Sequence, residues 1–124
     1  MSAVTILQCP IVTGLDPARL QRIFDVLGDD RAERAICRTL GQMATQLNRM
    51  QIECEARRLD DLRTSAQRLA ALSRGLGLTE VEEASMHVRT CARQGDGIAL
   101  EAVMARLERG FDVAIGQVWD GRFA

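Results

Sequence analysis

Tyrosine is missing from this chain, and aromatic residues make up only 3% of it. A core without large rings must be built from Leu, Ile, Val, Met and Ala, a composition that favours helices over strands. Histidine occurs once, as His87, and the cysteines Cys9, Cys37, Cys54 and Cys91 lie far apart with no CxxC pair. That pattern argues against a structural zinc site and for buried free thiols in a reducing compartment. No apolar run is long enough to span a bilayer. The opening MSAVTILQCPIVTG lacks the basic region and long apolar stretch of a signal peptide. A cytoplasmic protein without a membrane partner is therefore expected. With 16 basic and 17 acidic residues, net charge is −1, which provides no footprint for nucleic acid. No glycine-rich phosphate loop, Ser/His/Asp set or carboxylate pair stands out, so neither an enzyme nor a cofactor is expected.

What remains is a chain of 124 residues, 47% hydrophobic, sized for one domain with one core. Residues 1–14 carry no helical period and read as an extended N-terminal arm. Residues 15–124 read as a helical domain. Asp16-Pro17 is an N-cap followed by proline at the first helical position, and Leu20, Ile23, Phe24 and Leu27 form one apolar face before Gly28. Asp29 or Asp30 caps the next helix, with Asp30 and Glu33 spaced for a capping box. Ile36, Leu40, Met43, Leu47, Met50 and Cys54 then form a long heptad-like seam. Gly41 within that helix suggests a close helix contact.

The apolar phase shifts at Leu59, Leu62, Ala66, Leu69 and Leu76, which predicts a reversal near residues 57–60 with Asp60 as its cap. One continuous helix is the alternative, but it would be unusually long for a compact domain. Gly75 and Gly77 end this helix. Thr79 to Glu82 spells a capping box for the next, whose inner face is Val81, Ala84, Val88 and Cys91. Gly95 stops it and Asp96 caps the last helix, where Leu100, Val103, Leu107, Phe111, Ala114 and Val118 keep helical spacing. Trp119 and Phe123 are placed to close the base. The expected fold is all-α: an up-down antiparallel four-helix bundle with a short additional N-terminal helix.

The stretch AQRLAALSRGLG, residues 66–77, draws attention on such a scaffold. Leu69, Ser73 and Leu76 continue the inner face. Asp60, Thr64, Gln67, Ala71 and Arg74 fall on the outer one, where Gln67 stands among small residues, Ala70 and Ala71, with Arg63 and Arg74 along its stripe. Solvated helix faces usually carry longer polar side chains.

These residues resemble the histidine-phosphotransfer domains of phosphorelays. The family signature is Ala-His-x-Leu-Lys-Gly-Ser/Ala-Ala/Ser, then Leu-Gly after two residues. Ala66, Leu69, Ser73, Leu76 and Gly77 match it, while Gln67 occupies the phosphohistidine position and Ala70 and Ala71 replace the usual lysine and glycine. LTEVEEASMHV resembles the family's next helix, CARQGDGIALEAVMARLERGF its following turn and final helix, and LDPARL with LGDD its opening. The resemblance spans residues 15–119. It implies the bundle described above and a contact surface for a response-regulator receiver domain or a histidine kinase. That surface would comprise Arg63, Thr64, Gln67, Ala70, Ala71 and Arg74, with the arginines facing the receiver's acidic cluster.

A glutamine amide nitrogen is delocalised into its carbonyl and is no useful nucleophile, whereas neutral imidazole offers a lone pair. The expectation is a degenerate member, monomeric, that binds without relaying phosphate as a competitor, adaptor or regulator. Apart from the resemblance, Gln67 reads as an ordinary solvated residue and the arginines as surface charges paired with neighbours such as Asp60. Two other readings stay open: a working phosphotransfer protein using His87, and a helical dimerisation module using the seam of residues 36–54. Core spacing marks Met43, Met50 and Met104 as packing residues.

Overall fold

A computed structural model describes residues 15–123 and their side chains as far as Trp119. The arm expected over residues 1–14, with Cys9, and the side chain of Phe123 lie outside the described residues. Five α-helices and no strand are found among the described residues: α1 Pro17–Leu27, α2 Asp29–Glu55, α3 Leu59–Leu76, α4 Thr79–Gln94 and α5 Gly97–Phe123. The fold is all-α, as expected. None of these helices is long and apolar enough to cross a membrane.

The first helix starts as its sequence dictates. Asp16 accepts a hydrogen bond from the Ala18 N–H at 3.1 Å, and Pro17 takes the position where a missing N–H costs nothing. Gly28, at φ 80, ends α1 and also begins α2, because its carbonyl accepts the first helical bond from Ala32. The cap expected at Asp29 or Asp30 is therefore Gly28 instead, and both aspartates fall within the first turn of α2. There they favour the positive end of the helix dipole.

The α2 seam is buried from Ile36 through Met50, with Cys54 half-buried. Gly41 faces solvent and a Cβ there would meet nothing, so the close helix contact suggested for it is absent. The helix breaks at Ala56 to Arg58 without glycine or proline, because Arg57 takes the left-handed conformation, φ 57. The Arg58 N–H bonds back to the Glu53 carbonyl at 2.9 Å. Asp60 does not cap α3; Arg58 precedes the helix, without a side-chain cap bond. Gly75 lies inside α3, which ends at Gly77, φ 74. The capping box at Thr79 is not formed either. Leu78 precedes α4 and is fully buried, and that anchorage sets the register of the turn, placing Thr79 within the helix. Gly95 and Asp96 behave as expected, with Asp96 accepting from the Ala99 N–H at 3.1 Å.

Side-chain pairs fix how neighbours run. Arg74 of α3 reaches Glu82 of α4, and seven residues back along α3 Gln67 shares a pocket with Arg89, seven residues on along α4. The two helices are therefore antiparallel and α3 packs more extensively on α4 than on any other helix. Small residues buried on both, Ala66, Ala70 and Ser73 on α3 and Ala84, Ser85 and Ala92 on α4, suit that close packing. Ser73 and Ser85 satisfy their hydroxyls on carbonyls of their own helices at 2.7 and 2.8 Å. Gln51 of α2 donates to Glu108 of α5 at 2.8 Å, so the last helix returns to the first long one. Leu20, Met43, Met50, Leu62, Leu69, Val81, Leu100 and Leu107 fill the centre. Met104 and Phe111 are buried, and Trp119 packs on the rim of the core.

Candidate functional site

The outer stripe of α3 is where its periodicity places it. Asp60, Thr64, Gln67, Ala71 and Arg74 are exposed. The Gln67 side chain makes no hydrogen bond among the described residues, so its amide is free to donate and accept. Thr64 donates its hydroxyl to the Asp60 carbonyl at 3.3 Å.

Two expected members of the surface behave differently. Ala70 is 1% exposed and cannot touch a partner. It lies on the flank of α3 that the close packing covers, so its small size serves the helix contact. Arg74 is exposed but not free: its Nε donates to Glu82 Oε2 at 2.7 Å. A partner must displace Glu82 or accept the pair as it stands.

Arg63 is half-buried. Its Nη1 is 3.6 Å from Asp60 Oδ1, and its Nε is buried with no acceptor among the described residues. Asp60, Arg63, Thr64 and Gln67 line a small pocket of about 260 Å³ with Arg89 of α4. The Arg89 side chain makes no hydrogen bond or ion pair among the described residues. Sequence reasoning missed it. One signal existed: Arg89 stands two turns after Glu82 on the same side of α4. Using that signal requires the α3–α4 register. The chain has no lysine, so every positive side chain available to the surface is arginine.

His87 is exposed on α4, as its position suggests. Arg106 Nη1 lies 2.8 Å from His87 Nδ1, and the same guanidinium holds Glu80 Oε1 at 2.7 Å and approaches Glu83 at 3.9 Å. Arginine has no acceptor, so Nδ1 must accept and the ring proton sits on Nε2. In that state neither ring nitrogen has a free lone pair.

The cysteines among the described residues are free but not buried. Cys37 is exposed, one position off the seam, and Cys54 and Cys91 are half-buried. Burial pushes the Cys54 thiol above its ordinary value of 9.0; Arg57 opposes this, and Glu101, Glu55 and Glu108 add to it. No cluster of His, Cys, Asp and Glu among the described residues could hold a metal ion. Larger grooves lie elsewhere, between α2 and α5 around Cys54 and between α2 and α3 around Glu53, and neither includes Gln67.

The chain matches no family model, no curated protein and no solved structure.

Proposed function

We propose that this chain is an up-down antiparallel four-helix bundle of the histidine-phosphotransfer type that has lost its phosphoacceptor. It binds a receiver domain or histidine kinase of a bacterial two-component pathway in the cytoplasm, and it passes no phosphate. One observation carries this reading. Gln67, at the signature's histidine position, is exposed on α3 and free of partners among the described residues, with exposed Ala71 beside it. A surface that low lets a second domain approach the helix closely. The glutamine can meet that domain as a neutral hydrogen-bonding group but cannot carry a phosphoryl group. The protein would then act by occupying the partner, as a competitor, adaptor or regulator.

Other observations weigh against the alternatives. His87 is tied through Nδ1 to Arg106 and has Glu80 and Glu83 beside that arginine. Its Nδ1 lone pair is engaged by Arg106, and the carboxylates would repel an incoming phosphoryl group. The α2 seam is buried in the chain's own core, so it is not available to a second copy.

Binding of a panel of receiver domains to wild type and to Ala71→Trp tests the reading. Ala71 is exposed, so the indole should leave the fold intact while blocking approach. Affinity at least tenfold weaker in the variant, with an unchanged melting temperature, is expected. A receiver that binds both equally well would sink the proposed contact surface.

A further inference from the structure

The pocket between α3 and α4 holds two arginines whose hydrogen-bonding capacity is not used. Arg63 Nε is buried without an acceptor, and Arg89 has no partner among the described residues. A buried N–H left without an acceptor is costly, and an Arg63 side chain that turns to meet an anion recovers that cost. Gln67 adds an amide donor at the same pocket. Arg63 and Gln67 of α3 and Arg89 of α4 thus line one small volume, and each side chain carries N–H donors. An anion with oxygens in several directions suits such a set better than a planar carboxylate.

The one acidic group in the pocket is Asp60. Its side chain is 98% exposed, and its contact with Arg63 is long, 3.6 Å. It therefore satisfies Arg63 poorly and can swing into solvent. The nearby Arg74 is occupied by Glu82 and does not contribute.

We propose that this pocket is a non-covalent site for a phosphate-class oxyanion, held by Arg63 and Arg89 with Gln67 donating to it. The anion is either free or borne on a phosphorylated side chain, and both sources present the same oxygens. No bond to phosphorus forms or breaks. The inference does not depend on receiver docking, because a free anion binds whether or not a receiver does. It has one consequence for that reading: an anion seated there lies at the centre of the proposed contact surface.

Amide and side-chain NMR titrations with inorganic phosphate, O-phosphoserine and acetate at low ionic strength test it. Low salt matters because screening weakens exposed charge pairs. Saturable phosphate shifts are expected at residues 60–67 and 89, with Kd on the order of 1 mM. Acetate should bind several-fold more weakly. O-phosphoserine binding more tightly than phosphate would assign the site to phosphorylated side chains, and the reverse order to the free anion. Arg63→Gln and Arg89→Gln should each weaken phosphate at least fivefold, and Arg109→Gln, on α5, should not. Asp60→Asn should tighten binding, and it keeps the test decisive if an arginine variant folds poorly. The proposal is overturned by shifts that do not saturate, by an unchanged affinity in Arg89→Gln, or by acetate binding as well as phosphate. Because no receiver is present, these outcomes are separate from those of the docking experiment.

Discussion

Ala70 and Ala71 are adjacent and of the same type, yet one is buried in the packing of α3 and the other faces solvent. On a helical wheel Ala70 lies about 60° from Gln67, at the edge of the outer face. Sequence alone cannot say on which side of such an edge the neighbouring helix falls. Ala70→Leu should destabilise by about 1–3 kcal/mol through overpacking. Ala71→Leu should stay within about 0.5 kcal/mol of wild type. Urea unfolding of both variants checks the pair, and equal effects would refute the assignment. Arg89 escaped notice for a related reason, since its relation to Gln67 exists only across two helices. Glu53 is buried with Oε1 unpartnered, so Glu53→Met should raise stability by about 1 kcal/mol in the same assay. A loss of stability would mean that Glu53 has a role in the fold.

Cys54 supplies a prediction with a defined sign. Its raised pKa means that the folded state holds the thiol proton longer than the unfolded chain. Its contribution to stability is therefore complete below the unfolded value and is lost as pH rises through the folded one. Iodoacetamide at pH 8 should label exposed Cys37 before Cys54, a difference that mass spectrometry of the labelled peptides resolves. Equal rates would contradict the placement of Cys54.

At the scale of the element, apolar periodicity was the reliable guide and capping chemistry was not. The faces of α2, α3, α4 and α5 are buried where spacing put them, except at Cys54, Leu59, Cys91 and Val103, which are half-buried. The side-chain caps of Asp16 and Asp96 form, but those anticipated at Asp29 or Asp30, Asp60 and Thr79 do not. Their positions fall inside helices whose starts are fixed by other constraints: the positive-φ Gly28, the Arg57 turn and the buried Leu78. Capping energies are about 1 kcal/mol, and burying a leucine is worth more. Two turns with the same backbone conformation separate strain from crowding. An alanine Cβ at Gly95 would meet nothing within 4 Å. At Gly77 it would lie 2.6 Å from Arg19 Cβ and 2.7 Å from the Asp16 carbonyl oxygen. The Asp16 N–H also bonds the Gly77 carbonyl at 2.7 Å, so this corner ties α1 to the α3–α4 turn. Gly95→Ala should cost about 1 kcal/mol, the left-handed penalty alone. Gly77→Ala should cost clearly more, because backbone must move. Thermal unfolding of both variants tests the contrast, and equal losses would remove the role of the corner.

For the whole molecule, composition foretold an all-helical fold without a large aromatic core, and the described residues have that character. The short turn at Gly77 made the antiparallel α3–α4 pair legible before any coordinate. The pocket was not legible, because it depends on the α3–α4 register, which side-chain pairs such as Arg74 with Glu82 reveal only once the helices are packed. The account's central claim is that the surface around Gln67 is a docking site whose nucleophile is gone. The most direct test is phosphotransfer from a panel of phosphorylated receiver domains to wild type and Gln67→His, measured side by side. The account predicts acid-labile label on Gln67→His and none on wild type. Label on wild type, or on neither protein, would contradict it.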